Sequence, residues 1–288
     1  MKDIKTAYFN YFKSQKAIEI YENVLELVKE NQRVNKSLFD NGKINRAAVV
    51  RSDNEVTKFQ SRIEVAEQEA NSAKAYFNFL LNREPTEEIL LDNLEIPTQE
   101  ILQNNGTTER EELQKLAQAK IINEQVIGLS KAYKTPQIGA FLDIGSQGFD
   151  FKVNDKTAYY FFGVSLEWNI FSAGKNKYKV QQSQMDNQIL DTKTNYVKDQ
   201  LNLQLITSIN SFNASLSNYR ALQQQEQASK IYYSDIQKLY GEGQALFIEV
   251  LDAQNQLVMA QLESNIALFD TWIKATQIER ATASFYLN

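Results

Sequence analysis

Leu239-Tyr-Gly-Glu-Gly-Gln-Ala-Leu-Phe-Ile-Glu-Val-Leu-Asp-Ala-Gln254 lies between two long helical patterns, and its reading decides the fold. A weaker copy, Leu38-Phe-Asp-Asn-Gly-Lys-Ile-Asn-Arg-Ala-Ala-Val-Val-Arg-Ser-Asp53, stands 201 positions earlier. Superposing Gly42 on Gly243 also aligns Leu38 with Leu239, Phe39 with Tyr240, Val49 with Val250, Asn54 with Asn255 and Gln60 with Gln261. In each copy a helical run meets an aromatic or a leucine, then a glycine, then a fresh helical run. Glycine tolerates the left-handed conformation that ends a helix, so each copy reads as a reversal point. Two reversals, one per half, predict a duplicated antiparallel helical protein.

The flanking runs support this reading. Residues 2–39 hold neither glycine nor proline, and Tyr8, Phe12, Ile18, Tyr21, Leu25 and Val28 recur at helical intervals. A second helix is expected from about Ala47 to Asn82, ended by Arg83-Glu-Pro85. From Lys175 to Tyr240 there is again no Gly or Pro, a helix of roughly 90–100 Å at the standard rise per residue. Ile209, Phe212, Leu216 and Tyr219 mark its seam. The last helix starts near Phe247, with Leu251, Val258, Leu262, Phe269 and Trp272 at heptad-like spacing and Ile266 and Ile273 widening the apolar face.

Between the halves the pattern changes twice. Residues 85–135 are punctuated by Pro85, Pro97, Gly106 and Gly128, with one helix expected from Thr108, as N-cap, to about Ala132. Residues 137–171 alternate with period two. Ile138, Ala140, Leu142 and Ile144 share one face of a first strand. After a polar loop from Gly145 to Lys156, Tyr160, Phe162, Val164, Leu166, Trp168 and Ile170 share one face of a second. Gly163, Ser165, Glu167 and Asn169 take its other face. The fold class is therefore mainly α with one β-hairpin, in which long antiparallel helical hairpins form the body. Its expected parts are residues 1–84 (first helical hairpin), 85–135 (lateral segment), 136–174 (β-hairpin) and 175–288 (second helical hairpin).

Composition narrows the function. Histidine and cysteine are both absent from the 288 residues, which removes thiolate and imidazole metal sites, Cys and His nucleophiles and the usual general base of hydrolases. No convergent catalytic set, metal site or cofactor site is read, and the protein is not expected to be an enzyme. A net charge of −5 gives no basic footprint, so no nucleic acid is expected as partner. There is no run of about 18 apolar residues that could form a membrane-spanning helix. The hairpin alone fits either a sheet packed on helices in a soluble protein or strands of a membrane barrel, whose strands are about 9–11 residues long.

The order of these parts, with Pro136-Gln-Ile138, Trp168-Asn-Ile-Phe-Ser-Ala-Gly174 and the Tyr240–Gln254 turn, resembles the TolC family of outer-membrane efflux proteins. The resemblance covers essentially the whole chain. It implies a homotrimer whose subunits give strands to a shared β-barrel in outer-membrane lipid and helices to a periplasmic α-barrel. The duct would serve a tripartite efflux pump or a type I secretion system, docked by a periplasmic adaptor protein and an inner-membrane transporter. One departure is clear: the family has a strand pair in each half, and here the first-half counterpart of Gly174 would fall upstream of Met1. Three hairpins give six strands, fewer than the roughly eight of the smallest membrane barrels. An N-terminal strand pair, a preceding helix and a signal peptide are accordingly expected to be missing from this sequence.

The resemblance also assigns residues. Glu249 and Asp252 match the family's acidic pore constriction, and Tyr240 its latch tyrosine. Ala245 and Ala48 replace other latch positions, which leaves Arg51 as a substitute partner for Glu249 or Asp252, or as a solvated surface charge. From the residues alone, two acids early in a helix also fit a favourable dipole interaction. Gly42, Lys43, Arg46 and Gly243 are the tip-turn and adaptor-docking candidates, with plain solvation the default reading of the two cations. Ser165, Glu167 and Asn169 are the barrel-lumen candidates, from alternation. A soluble coiled-coil scaffold or adhesin-like stalk is the alternative function.

Overall fold

The computed structural model describes residues 1–91, 94, 96–97, 110–147 and 158–283. Among the described residues five helices and two strands follow one another: α1 (Lys2–Asp40), α2 (Arg46–Leu80), α3 (Glu111–Lys131), β1 (Gln137–Ser146), β2 (Ala158–Glu167), α4 (Lys175–Gly241) and α5 (Phe247–Thr282). A short 3₁₀ turn, Ala132–Lys134, joins α3 to β1. The chain forms two compact units, residues 1–107 with 201–288, and residues 108–200. The 67-residue α4 contributes its first part to the second unit and the rest to the first.

In the first unit α1 packs antiparallel on α2 and also against α5. Its core is a series of apolar layers along the helices. Nearest the two turns lie Tyr240, Phe247, Val250, Leu251 and Leu257; next come Val24, Val28, Phe59 and Val258; further on, Phe9 and Phe12 of α1 meet Phe269 of α5. The α4 seam packs Phe212 and Leu216 on Ala275 and Ile278 of α5. Phe212, Leu216 and Tyr219 are buried, as the periodicity predicts, whereas Ile266 of α5 stands 52 % exposed. Where α2 ends, the fully buried Asn78 donates its Nδ2 hydrogens to Pro85 O (3.2 Å) and Glu87 O (2.8 Å), which folds the following segment back on the helix.

The second unit holds α3, the hairpin and the start of α4. The contact of α3 with α4 is polar: Lys120 Nζ meets Asp191 Oδ1 at 2.6 Å, and Asn123 Nδ2 donates to Ser183 O at 3.0 Å. Strand β1 pairs antiparallel with β2 from Gln137 opposite Glu167 to Ser146 opposite Ala158.

Three boundaries differ from the sequence reading. β2 stops at Glu167, because the next residue across the ladder would be Pro136, which has no N–H to give. Trp168, Asn169 and Ile170 therefore lie past the strand. β1 runs on through Gly145 and Ser146, which pair with Tyr159 and Ala158; Tyr159 lies over Gly145 so closely that a Cβ there would sit 2.9 Å from its ring. Helix α3 begins at Glu111 with Arg110 as N-cap; Thr108 and its neighbours fall outside the described residues.

Phe59 is fully buried, and the guanidinium of Arg62 lies 5.0 Å from its ring centre. Phe59→Ala removes the middle of the Val24–Val28–Val258 layer. We expect it to lower the unfolding free energy by about 3–5 kcal/mol, as measured by chemical denaturation.

Candidate functional site

The two turns of the first unit are built alike. Gly42 has φ +69° and Gly243 has φ +77°. An added Cβ at either would meet nothing within 4 Å, so the backbone angle, not space, demands glycine. The Gly42 N–H donates to Phe39 O and the Lys43 N–H to Leu38 O, both at 2.8 Å. In the copy, Gly243 N–H donates to Tyr240 O at 3.0 Å and Gln244 N–H to Leu239 O at 2.8 Å. Both are Schellman closures, in which the second residue past the helix bonds back across the last turn. Between the turns lies a cleft of about 520 Å³ floored by Leu38, Ile44, Ala48, Tyr240 and Phe247.

After the turns the copies diverge. In the first, the Asn45 side-chain oxygen accepts from the Ala48 N–H at 3.2 Å and caps α2. In the second, Leu246 has no side-chain acceptor, and the Leu246 N–H instead donates to Glu249 Oε2 at 2.6 Å. Glu249 thus caps its own helix, as the dipole reading of that residue expects. Asp252 is exposed and accepts from Gln256 Nε2 at 2.7 Å. Around these acids α5 buries Val250, Leu251, Ala253 and Leu257, whereas Ile248, Asp252, Asn255, Met259 and Ile266 remain exposed at spacings of three, four and seven. One stripe of an otherwise well-covered helix is left open.

Arg51, Lys43 and Arg46 are exposed, and among the described residues none of them forms an ion pair. Within one chain Arg51 therefore joins neither Glu249 nor Asp252. Tyr240 is buried: its ring packs on Phe247 with centroids 5.6 Å apart, and its hydroxyl donates to Asn35 Oδ1 at 2.5 Å. Around Asn35 runs a set of buried polar side chains that the sequence reading missed. Asn31 Nδ2 donates to Tyr233 Oη at 2.9 Å and to Gln254 Oε1 at 3.3 Å, and Gln237 Nε2 donates to Asn31 Oδ1 at 3.2 Å. The signal was present, since Asn31 and Asn35 follow Val28 by three and seven residues, on the same helical face.

In the hairpin, Ser165 lies opposite Gly139 and Glu167 opposite Gln137, both exposed; Asn169 lies beyond the strand. On this face aromatics cover glycines: Phe141 lies over Gly163, where a Cβ would come within 2.4 Å of its ring, and Tyr159 over Gly145. The opposite face is apolar and bare. Ile138, Leu142, Ile144, Tyr160, Phe162, Val164 and Leu166 are each between 62 % and 83 % exposed.

The family described as outer membrane efflux protein matches the chain over residues 102–283. No curated protein sequence matches it. Among solved structures, the outer-membrane channel OprN is 17 % identical with a TM-score of 0.74, the match covering 99 % of this chain and 66 % of that one. The outer membrane protein VceC of Vibrio cholerae is 15 % identical, TM-score 0.74, covering 98 % and 69 %. The open state of the MtrE outer membrane channel of Neisseria gonorrhoeae is 17 % identical, TM-score 0.73, covering 98 % and 65 %. This chain spans about two thirds of the length of the solved chains it matches, and it shares their fold.

Burial pushes the hydroxyls of Tyr233 and Tyr240 above the ordinary tyrosine value of 10.0, with the bond to Asn31 partly offsetting this at Tyr233. A phenol raised on folding keeps its proton longer in the native state. The stability it contributes is complete below the ordinary value and is lost as pH rises through the folded one. In an alkaline titration followed by phenolate absorbance, Tyr233 and Tyr240 belong to a late set with Tyr11 and Tyr219. Tyr233→Phe and Tyr240→Phe should each reduce the amplitude of that late phase.

Proposed function

This chain belongs to the outer membrane efflux protein family, and on that premise we propose that it is a subunit of an exit duct carrying substrates across the periplasm and the outer membrane. The observation that carries the reading is the bare apolar face of the β-hairpin. A two-stranded ribbon with both edges unpaired is marginally stable by itself in water. Here it also exposes seven large apolar side chains on one side, an arrangement that fits strands closed into a barrel with lipid outside. A soluble stalk would leave that face in water. We assign residues 136–174 to the barrel, 1–84 and 175–288 to the periplasmic helical hairpins, and 85–135 to a lateral segment. Ser165 and Glu167 then face the lumen, and Asn169 its rim.

The duct is proposed to be a homotrimer in the outer membrane, extending into the periplasm. Its turns, with Gly42, Lys43, Arg46 and Gly243, receive a periplasmic adaptor that links it to an inner-membrane transporter of an efflux or type I secretion system. The role asks for positioned charge, not for a catalytic group. Asp252 and Glu249 supply it: three copies of each form two carboxylate rings that favour cations at the narrow end. Asp252 is the stronger contributor, because one oxygen of Glu249 is committed to the Leu246 N–H. Tyr240 and Arg51 belong to the same gate, the first holding a hairpin in place from inside the subunit, the second available to a neighbouring subunit.

Reconstitution into planar lipid bilayers tests this. In a form long enough to supply the barrel strands that this chain's two cannot, the protein should conduct, and Asp252→Ala should cut the cation-to-anion permeability ratio severalfold. Glu249→Ala should lower it less and also reduce thermal stability slightly through loss of the cap. Unchanged selectivity in both variants would remove the assigned role, and absence of conductance in the unsubstituted protein would sink the duct reading.

A further inference from the structure

The base of the β-hairpin carries a concentration of positive charge. β1 and β2 end together there, with Gln137 opposite Glu167. Lys131 and Lys134 stand just before β1, and Lys175, Lys177 and Lys179 open α4 soon after β2. Side-chain contacts draw the two groups together. Ser130 Oγ meets Ser183 Oγ at 3.5 Å, and Ser183 Oγ donates to Lys179 O at 3.2 Å. The last turn of α3 thus lies beside the start of α4, and both of these helix ends lead into the hairpin. All five lysines are exposed, and among the described residues none of them forms an ion pair. Within residues 125–147 and 158–185 the only acids are Asp143 and Glu167. Asp143 lies six residues further up the ladder than Gln137, and Glu167 is on the face of the ribbon opposite the apolar one. Lys175 and Lys177 also oppose the positive end of α4, whose first turn holds no acid. The helix itself gives them no reason to be there.

The bare apolar face begins directly above this charge, with Ile138 opposite Leu166. Trp168 and Phe171, 54 % and 87 % exposed, stand in the chain between that face and Lys175. Tryptophan and tyrosine settle at the headgroup level of a bilayer, with hydrocarbon on one side and water on the other. Lysine stems lie along apolar surface while the ammonium group stays in water. Apolar band, aromatics and cations therefore follow the order of a leaflet's acyl chains, interface and anionic headgroups. We infer that Lys131, Lys134, Lys175, Lys177 and Lys179 form a docking surface for anionic phospholipid headgroups in the leaflet that faces the periplasm. The inference rests on the barrel reading above, and it adds a lipid preference that an apolar band alone does not create.

The test uses a form long enough to supply the remaining barrel strands, with Trp272→Phe and Trp168 kept as its one tryptophan. It is reconstituted in bilayers of phosphatidylcholine and phosphatidylglycerol in equal amounts, with one lipid or the other brominated on its acyl chains. Bromine quenches tryptophan at short range, so the two quenching levels report which lipid lies beside Trp168. Phosphatidylglycerol should be favoured about threefold at low salt. The preference should fall in high sodium chloride, because exposed charges are screened. Replacing the five lysines by glutamine should abolish it and leave quenching by brominated phosphatidylcholine in place; replacing them by arginine should keep it. If Trp272→Phe does not fold, the same preference is read as the difference between the protein and its Trp168→Phe variant. Equal quenching by the two lipids in the unsubstituted protein overturns the inference and leaves the barrel reading standing, as does a preference that survives in the glutamine variant. Quenching by neither lipid in folded protein removes the barrel reading and this inference with it.

Discussion

A single backbone hydrogen bond, Lys43 N–H to Leu38 O, ends a helix of 39 residues; its copy, Gln244 N–H to Leu239 O, ends one of 67. Neither run contains a proline, and the one glycine inside them is Gly241, the last residue of α4. The closure needs a residue with positive φ just before the donor, and a glycine stands there in both copies. From these two reversals follow the antiparallel pairing of α1 with α2, the layered core, and the meeting of both turns around one cleft. Without them the same apolar periodicity would describe two long unpaired rods.

The second constraint acts in the opposite sense. The helical hairpins cover most of their apolar stripes within the chain, whereas the β-hairpin covers none of its apolar face. Its polar-side face is locally well made, with Phe141 filling the space over Gly163 and Tyr159 that over Gly145. That packing holds the ribbon in register and does nothing for Ile138, Phe162 or Leu166. A ribbon so carefully fitted on one side and bare on the other is consistent at the local level and incomplete at the global one. Incompleteness of this kind is resolved by further strands and by an apolar environment, not by rearrangement of the chain itself.

Helices and strands were legible in the sequence because their periods are long and uninterrupted. α1, α2 and α4 start and stop, and α5 starts, within a residue or two of the glycine, proline and period signals; the end of α5 at Thr282 carries no such signal. The strand ends were less legible, because alternation continues past the ladder: Trp168 and Ile170 keep the beat after Pro136 has ended the pairing. Of the candidate site, the positions of the turn residues were readable and their partners were not. Glu249 could have pointed anywhere until Leu246 at the N-cap left the first N–H to it. The buried amides were overlooked for a simpler reason: a pattern search for apolar residues passes over Asn31, Asn35 and Gln254, although they occupy core positions.

The two turns differ most in how well their charges suit their own helices. Glu249 sits in the first turn of α5, where the dipole welcomes an acid, and its cap gives it a sufficient local reason to be there. Lys43 follows the C-terminal end of α1, where a cation is equally welcome. Arg46 is the opposite case. It is the first residue of α2, a helix with no acid in its first turn, and its positive charge faces the positive end of that helix. Arg51, one turn further on, has no carboxylate partner among the described residues. Of the charges at the two turns, Arg46 is thus the one whose own helix gives it no local reason for its place.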